Sequence, residues 1–374
     1  MRRVCCFCES WKSGGIEAFL CNILTRIDLS QIQVDIVTAH LGESVFTKQL
    51  QELGVQFYEL SGNLRRVPEN HQSFRLLLEE RQYDIVYVNA YQSLSLYYLY
   101  MAKKAAVPVR IAHAHNTSLR KSLTRPLKLL IHRWARDQYT CYATALWACS
   151  KNAAEFLFSE RELEQRGFTF IPNGIDTARF RFDPAVRESV RKELGLNGKF
   201  VIGNVGRLCY QKNQQFLIDV FTELLKQRPE SCLLLIGEGD DESMLRQKAR
   251  ELAVTDRVLF CGVSEQVEQL MWAMDVFAFP SRFEGLGIAA IEAQATGLPV
   301  LASESVPKEA YVSPLYHSRP LGSGAEAWAD ALLQLDGNTA ERQEAVFAVR
   351  DAAFDIMETA EKLGSFFREG AFCE

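Results

Sequence analysis

Residues 279–303 read FPSRFEGLGIAAIEAQATGLPVLAS, and the order of residue types in this stretch decides the fold. An apolar run, Val276 to Phe279, stops at Pro280-Ser281, and a glycine-flanked loop carries Glu284. A helix-forming segment carries Glu292, and Gly297-Leu298-Pro299 ends that segment before a second apolar run. The pattern is strand, loop, helix, turn, strand. In open parallel α/β sheets, ligands sit outside the carboxyl ends of the strands, and a helix entered through Gly285 and Gly287 offers bare N–H groups to an anion. A helix starting as early as Glu284 would set the two carboxylates at most about 12 Å apart along its axis, a span suited to two ends of one extended ligand.

Outward from this stretch the same alternation recurs. Apolar runs at Arg3 to Cys8, Val34 to Thr38, Val55 to Leu60, Asp84 to Asn89, Val109 to His113, Ala145 to Ser150, Phe200 to Leu208, Leu233 to Ile236 and Val258 to Val263 are separated mostly by helix-length segments. Such spacing predicts parallel, doubly wound sheets. Asn173-Gly174, beside Pro172, is turn-forming and marks a linker. The expected division is 1–175, 176–345 and a helical segment 346–374 returning to the first domain.

At 374 residues and 48% hydrophobic content, the chain suffices for two domains with real cores. No run approaches the length of a spanning helix, and the first strand is too short for a signal peptide, so the expected location is cytoplasmic. Ten scattered cysteines, mostly in apolar runs, read as reduced core thiols. Residues 1–175 carry 21 basic against 16 acidic side chains, residues 176–374 carry 21 against 31, and the first half is the one expected to meet an anionic surface. The densest basic stretch runs from Arg120 to Arg136, with six cations and no acid before Asp137. Within it Leu127, Leu130, Ile131 and Trp134 recur at helical spacing, giving either an ordinary solvated surface helix or one that rests on a membrane. No nucleic-acid partner is expected.

The order Phe-Glu-Gly-Leu-Gly, Ile-Glu-Ala, Gly-Leu-Pro-Val around Glu284 and Glu292 resembles the glutamate-x7-glutamate motif of glycosyltransferase family 4. Gly206-Arg207 with Lys212 five residues on resembles that family's diphosphate clamp, and Gly14-Gly15-Ile16-Glu17 its glycine loop. The resemblance implies a GT-B fold, two Rossmann-like domains facing a central cleft, and transfer of a sugar from a nucleotide-sugar donor with retention at the anomeric carbon. It implies that Arg207 and Lys212, with the helix entrance at Gly285, Leu286 and Gly287, stabilise the departing diphosphate. Glu284 would take the donor-sugar hydroxyls and Glu292 the ribose hydroxyls, with Gly14, Gly15 and Gly206 lying close to the donor. His115, at a strand's carboxyl end, would donate to the sugar or leaving phosphate, with His113 as the alternative register. No cofactor or metal is expected. The pieces His-Ala-His-Asn and Val-Pro-Lys-Glu point to bacterial exopolysaccharide or capsule assembly, and hence to a glycan or undecaprenyl-linked acceptor at a membrane surface. The rivals are a nucleotide-sugar epimerase of the same fold and a non-catalytic nucleotide-sugar-binding protein. A nicotinamide-dependent dehydrogenase is disfavoured, since no Gly-x-Gly-x-x-Gly follows any strand.

Overall fold

The computed structural model describes residues 1–12, 14–62, 66–119, 125–335 and 339–372. They form two compact units, Met1–Gly174 with Ile356–Glu374, and Ile175–Asp355.

The first unit holds strands β1 (Arg2–Cys8), β2 (Ile32–Thr38), β3 (Gln56–Glu59), β4 (Ile85–Ala90), β5 (Val109–Ala114), β6 (Ala145–Ala148) and β7 (Thr169–Phe170). Between them run α1 (Gly15–Leu24), α2 (Thr47–Glu52), α3 (Val67–Arg81), α4 (Tyr97–Lys104), α5 (Arg125–Tyr139), α6 (Lys151–Leu157) and α7 (Glu160–Arg166). The sheet is parallel in the order β3-β2-β1-β4-β5-β6-β7. β1 and β4 are nearly continuous apolar runs because helices cover both faces of such a sheet. Cys5, Cys6 and Cys8 are buried free thiols in β1.

The second unit opens with α8 (Thr177–Phe180) and α9 (Pro184–Glu193). Asp183 caps α9 by accepting from the Ala185 and Val186 N–H groups, with proline at the first helical position. There follow β8 (Phe200–Val205), α10 (Gln214–Gln227), β9 (Ser231–Ile236), α11 (Glu242–Glu251), β10 (Val258–Gly262) and α12 (Val267–Ala273). The unit is completed by β11 (Val276–Phe279), α13 (Ile288–Ala295), β12 (Val300–Ser303), β13 (Tyr316–Arg319), α14 (Gly324–Gln334) and α15 (Ala345–Asp351). Its parallel sheet runs β10-β9-β8-β11-β12-β13. Each unit has its own apolar core.

The chain returns to the first unit later than the expected residue 346. Val346 and Val349 of α15 are buried in the second unit, and a turn at 352–355, with Ala353 at φ 63°, precedes α16 (Ile356–Glu369). α16 inserts Ile356, Ala360, Leu363, Phe366 and Phe367 into the first unit's core. The two ends of the second unit meet, since Ile175 N–H donates to the Phe354 carbonyl at 2.8 Å.

The basic stretch is helical from Arg125, and residues 120–124 lie outside the described residues. Only His132 and Ala135 of α5 are buried, while Leu127, Leu130 and Trp134 are 60%, 64% and 54% exposed. The apolar stripe of this helix therefore faces outward. Among the described residues, no helix is long and apolar enough to cross a membrane.

Candidate functional site

In the second unit the strand order reverses between β8 and β11, and a crevice outside the carboxyl ends of two such strands is where open α/β sheets take ligands. The loops leaving β8 and β11 are fastened to each other there. The Arg282 N–H donates to the Gln211 carbonyl at 2.8 Å and its guanidinium to Asn213 Oδ1 at 2.7 Å, while Asn213 Nδ2 donates to the Pro280 carbonyl at 3.2 Å. Asn213 sits at φ 58°, a left-handed conformation that asparagine tolerates better than most residues, and it begins α10.

This fastening brings Lys212 to Glu284. Nζ lies 2.8 Å from Oε1 and 4.7 Å from the centre of the Phe279 ring, and both side chains are largely buried. Gln211 Nε2 donates to the Phe283 carbonyl at 3.0 Å and, at 3.4 Å, to the other oxygen of Glu284. Gly206, at φ 148°, lets the lysine stem pass, since a Cβ there would stand 3.0 Å from Lys212 Cε. Arg207 follows immediately. It is exposed, and among the described residues its guanidinium has no hydrogen-bond or ion-pair partner, while its carbonyl accepts from Gln214 Nε2 at 3.1 Å. The site thus holds one cation paired with a carboxylate and one cation free to meet an anion.

α13 begins at Ile288, so Glu284 lies in the loop and not on the helix. Gly287 enters the helix at φ 94°, where a Cβ would come within 2.9 Å of Val306 Cγ1 and 3.3 Å of the Phe279 ring. Leu286 is buried and Gly285 partly exposed before it. Glu292, one turn into α13, is partly exposed, yet protein around its carboxyl pushes its pKa up to about 7. Arg179 and Lys212 oppose that rise and Glu268 adds to it. Arg179 is itself ion-paired with Glu268 at 2.6 Å.

His115, Gly14 and Gly15 belong to the first unit. His113, in β5, is fully buried and hydrogen-bonded through Nδ1 to the Tyr87 hydroxyl at 2.5 Å. His115, just beyond β5, is the partly exposed member of the pair. Its Nε2 is 3.0 Å from Asn89 Oδ1, and burial holds its pKa down to about 3, so the ring is neutral near pH 7. Gly14 caps α1 and Gly15 begins it, and a Cβ on Gly14 would stand 2.6 Å from Glu17 Oε2, whereas one on Gly15 would meet nothing. Glu17 is buried, with Oε1 accepting the Lys12 N–H at 3.0 Å. Sequence reasoning missed the fastening roles of Gln211, Asn213 and Arg282 and the supporting ring of Phe279. The only signal was a polar trio, Gln-Lys-Asn, at a helix start.

Comparisons with known proteins agree on both units. The model of Glycosyltransferase Family 4 matches residues 13–179, and that of Glycosyl transferases group 1 matches residues 186–344. The EpsF protein of Bacillus subtilis (strain 168) is 30% identical over 346 residues, covering 88% of each chain. An Escherichia coli UDP-Gal:alpha-D-GlcNAc-diphosphoundecaprenol alpha-1,3-galactosyltransferase is 28% identical over 233 residues, 61% of this chain and 59% of that one. Among solved structures, Anabaena HepE in complex with UDP has a TM-score of 0.78 at 21% identity, covering 98% of this chain and 99% of that one.

Proposed function

The chain belongs to the glycosyltransferases of family 4 and group 1, and from that premise we propose that it is a retaining enzyme moving a hexose from a nucleotide-sugar donor to a membrane-borne glycan acceptor. The observation that carries the reading is the pairing of Lys212 with Glu284 beside the free guanidinium of Arg207, all at the reversal point of the second sheet. A diphosphate leaving the anomeric carbon gains negative charge as the bond breaks. Arg207 presents a planar fork to it, Lys212 a point charge, and the N–H groups at the start of α13 add their partial charge. Glu284, oriented by Lys212 and Gln211, serves the donor-sugar hydroxyls, and Glu292 the ribose. Neutral His115, whose Nε2 donates to Asn89 Oδ1, has its Nδ1 left to accept one hydrogen bond from a hydroxyl of the donor sugar. With two cations for the diphosphate, turnover needs no metal, and a chelator should leave it unchanged.

The acceptor reading draws support from α5. Its outward Leu127, Leu130 and Trp134 are flanked by Lys128 and Arg133, the composition of a helix that lies on an anionic bilayer. UDP complexes of HepE and the diphosphoundecaprenol acceptor named for the Escherichia coli relative make a UDP-sugar and a polyprenyl-diphosphate glycan at the inner membrane face the first substrates to try. The test is a panel of UDP- and GDP-sugars, scored by thermal shift and by product. A donor consumed and isomerised without acceptor would replace this reading with an epimerase, and a donor bound but never turned over would make it a binding protein.

A further inference from the structure

The first unit's sheet also reverses its strand order, between β1 and β4, and the residue directly after β1 is Glu9. Its carboxylate is held from the segment that follows β4. Gln92 Nε2 donates to Oε2 at 3.2 Å, and the Ser95 hydroxyl donates to Oε1. A carboxylate offers about four lone-pair positions, so these two donors leave about two unused. Among the described residues Glu9 forms no ion pair, and it stays partly exposed even though burial raises its pKa above the ordinary carboxylate range. A fixed carboxylate without a counter-cation, at the mouth of a reversal point, is poor economy for a purely structural pin.

A second observation points the same way. Asn89, next to last in β4, is fully buried, and its Oδ1 faces His115 Nε2, but its Nδ2 has no partner among the described residues. A buried amide donor left unpaired keeps the cost of its lost hydration, which a ligand supplying an acceptor would relieve. One strand end presents spare acceptors and its neighbour a spare donor. That mixture matches a ligand rich in hydroxyls, each both donor and acceptor, and not an anion.

We propose that Glu9, oriented by Gln92 and Ser95, is the residue through which the first unit grips hydroxyls of the acceptor sugar and so sets acceptor specificity. The inference rests on the glycosyltransferase reading above. It is tested with wild type, Glu9→Gln and Ser95→Ala, using UDP-glucose, UDP-galactose and GDP-mannose as donors and octyl glycosides of glucose, galactose, mannose and N-acetylglucosamine as acceptor probes. Glycoside binding is followed by saturation-transfer NMR and, where transfer occurs, by acceptor KM. Glu9→Gln should weaken the best glycoside about tenfold or more, because a neutral amide replaces a charged acceptor. Donor Kd should stay within about twofold, and Ser95→Ala should show a smaller loss of the same kind. A wild type that binds no glycoside, a Glu9→Gln variant that binds them unchanged, or one that loses donor and glycoside alike together with melting temperature overturns the proposal. Failure of wild type to bind any nucleotide sugar would instead overturn the reading beneath it.

Discussion

Lys212 and Glu284 stand 72 residues apart in the chain and 2.8 Å apart in space, and this one contact changes what each is expected to do. Their residue types were legible in the sequence, because a cation after one strand and a carboxylate after another are local patterns. Their pairing was not, since it depends on how two loops are fastened by Gln211, Asn213 and Arg282, none of which forms a recognisable spacing. The pair means that Lys212→Ala both removes a charge from the diphosphate and leaves Glu284 buried without its cation. Turnover should fall roughly a hundredfold with a smaller change in donor Kd, and Arg207→Lys should also be damaging for want of the planar fork. Transfer rate and donor Kd measured on the same folded variant check this, and full activity in an Arg207→Ala, Lys212→Ala double variant would remove the clamp.

Glu292 supplies a residue-scale prediction of a different sort. Its pKa in the folded protein is about 7 against an ordinary 4.5, so between those values the folded state holds a proton that the unfolded chain has lost. Stability contributed at this position therefore falls as pH rises from 4.5 to about 7. Glu292→Gln should flatten that part of the melting curve against pH, and above pH 7 it should be the more stable protein by up to about 3 kcal/mol, less where solvent screens the carboxylate. An unchanged slope in the variant would assign the pH dependence elsewhere. The same substitution should weaken donor binding, since an amide is the poorer acceptor for ribose hydroxyls.

At the scale of elements, the central strands were readable because both faces of a parallel sheet are covered and the sequence turns uniformly apolar. β13 escaped notice for the opposite reason: Tyr-His-Ser-Arg at a sheet edge buries only its first residue, and four such residues look like loop. α5 was readable as a helix but not in orientation, because periodicity reports a stripe and not which way it faces. Its outward apolar stripe leads to a measurable outcome. On vesicles rich in anionic phospholipid, Trp134 fluorescence should shift to the blue, the shift should weaken with added salt, and Lys128→Glu with Arg133→Glu should reduce it further. No shift at low salt would make α5 a solvated surface helix and detach the membrane from the proposed function.

At the scale of the whole molecule, the junction near residue 174 was visible as an Asn-Gly turn, whereas the exit at 355 was not. The segment 345–367 is helix-forming almost throughout, and nothing in it announces the break at Ala353, where a non-glycine residue takes a left-handed conformation. The second unit is therefore one uninterrupted stretch and the first is assembled from two. Expressed alone, residues 175–355 should fold and melt cooperatively, while removal of everything after residue 355 should abolish the first unit's transition in calorimetry and spare the second's. Phe367→Ala, which empties part of that core, should cost the first unit about 3–5 kcal/mol. A truncated protein that retained both transitions would show α16 to be dispensable.

The two-piece construction of the first unit also sets a schedule. On the ribosome the strands of that unit emerge before the second unit, but the helix that closes their core is made only after the entire intervening unit has been translated. The half begun first is thus the half finished last, and its apolar surface stays uncovered throughout the synthesis of the other. A premature stop codon just ahead of α16 would therefore strike hardest at strands encoded far upstream of it, and spare the unit encoded immediately before it.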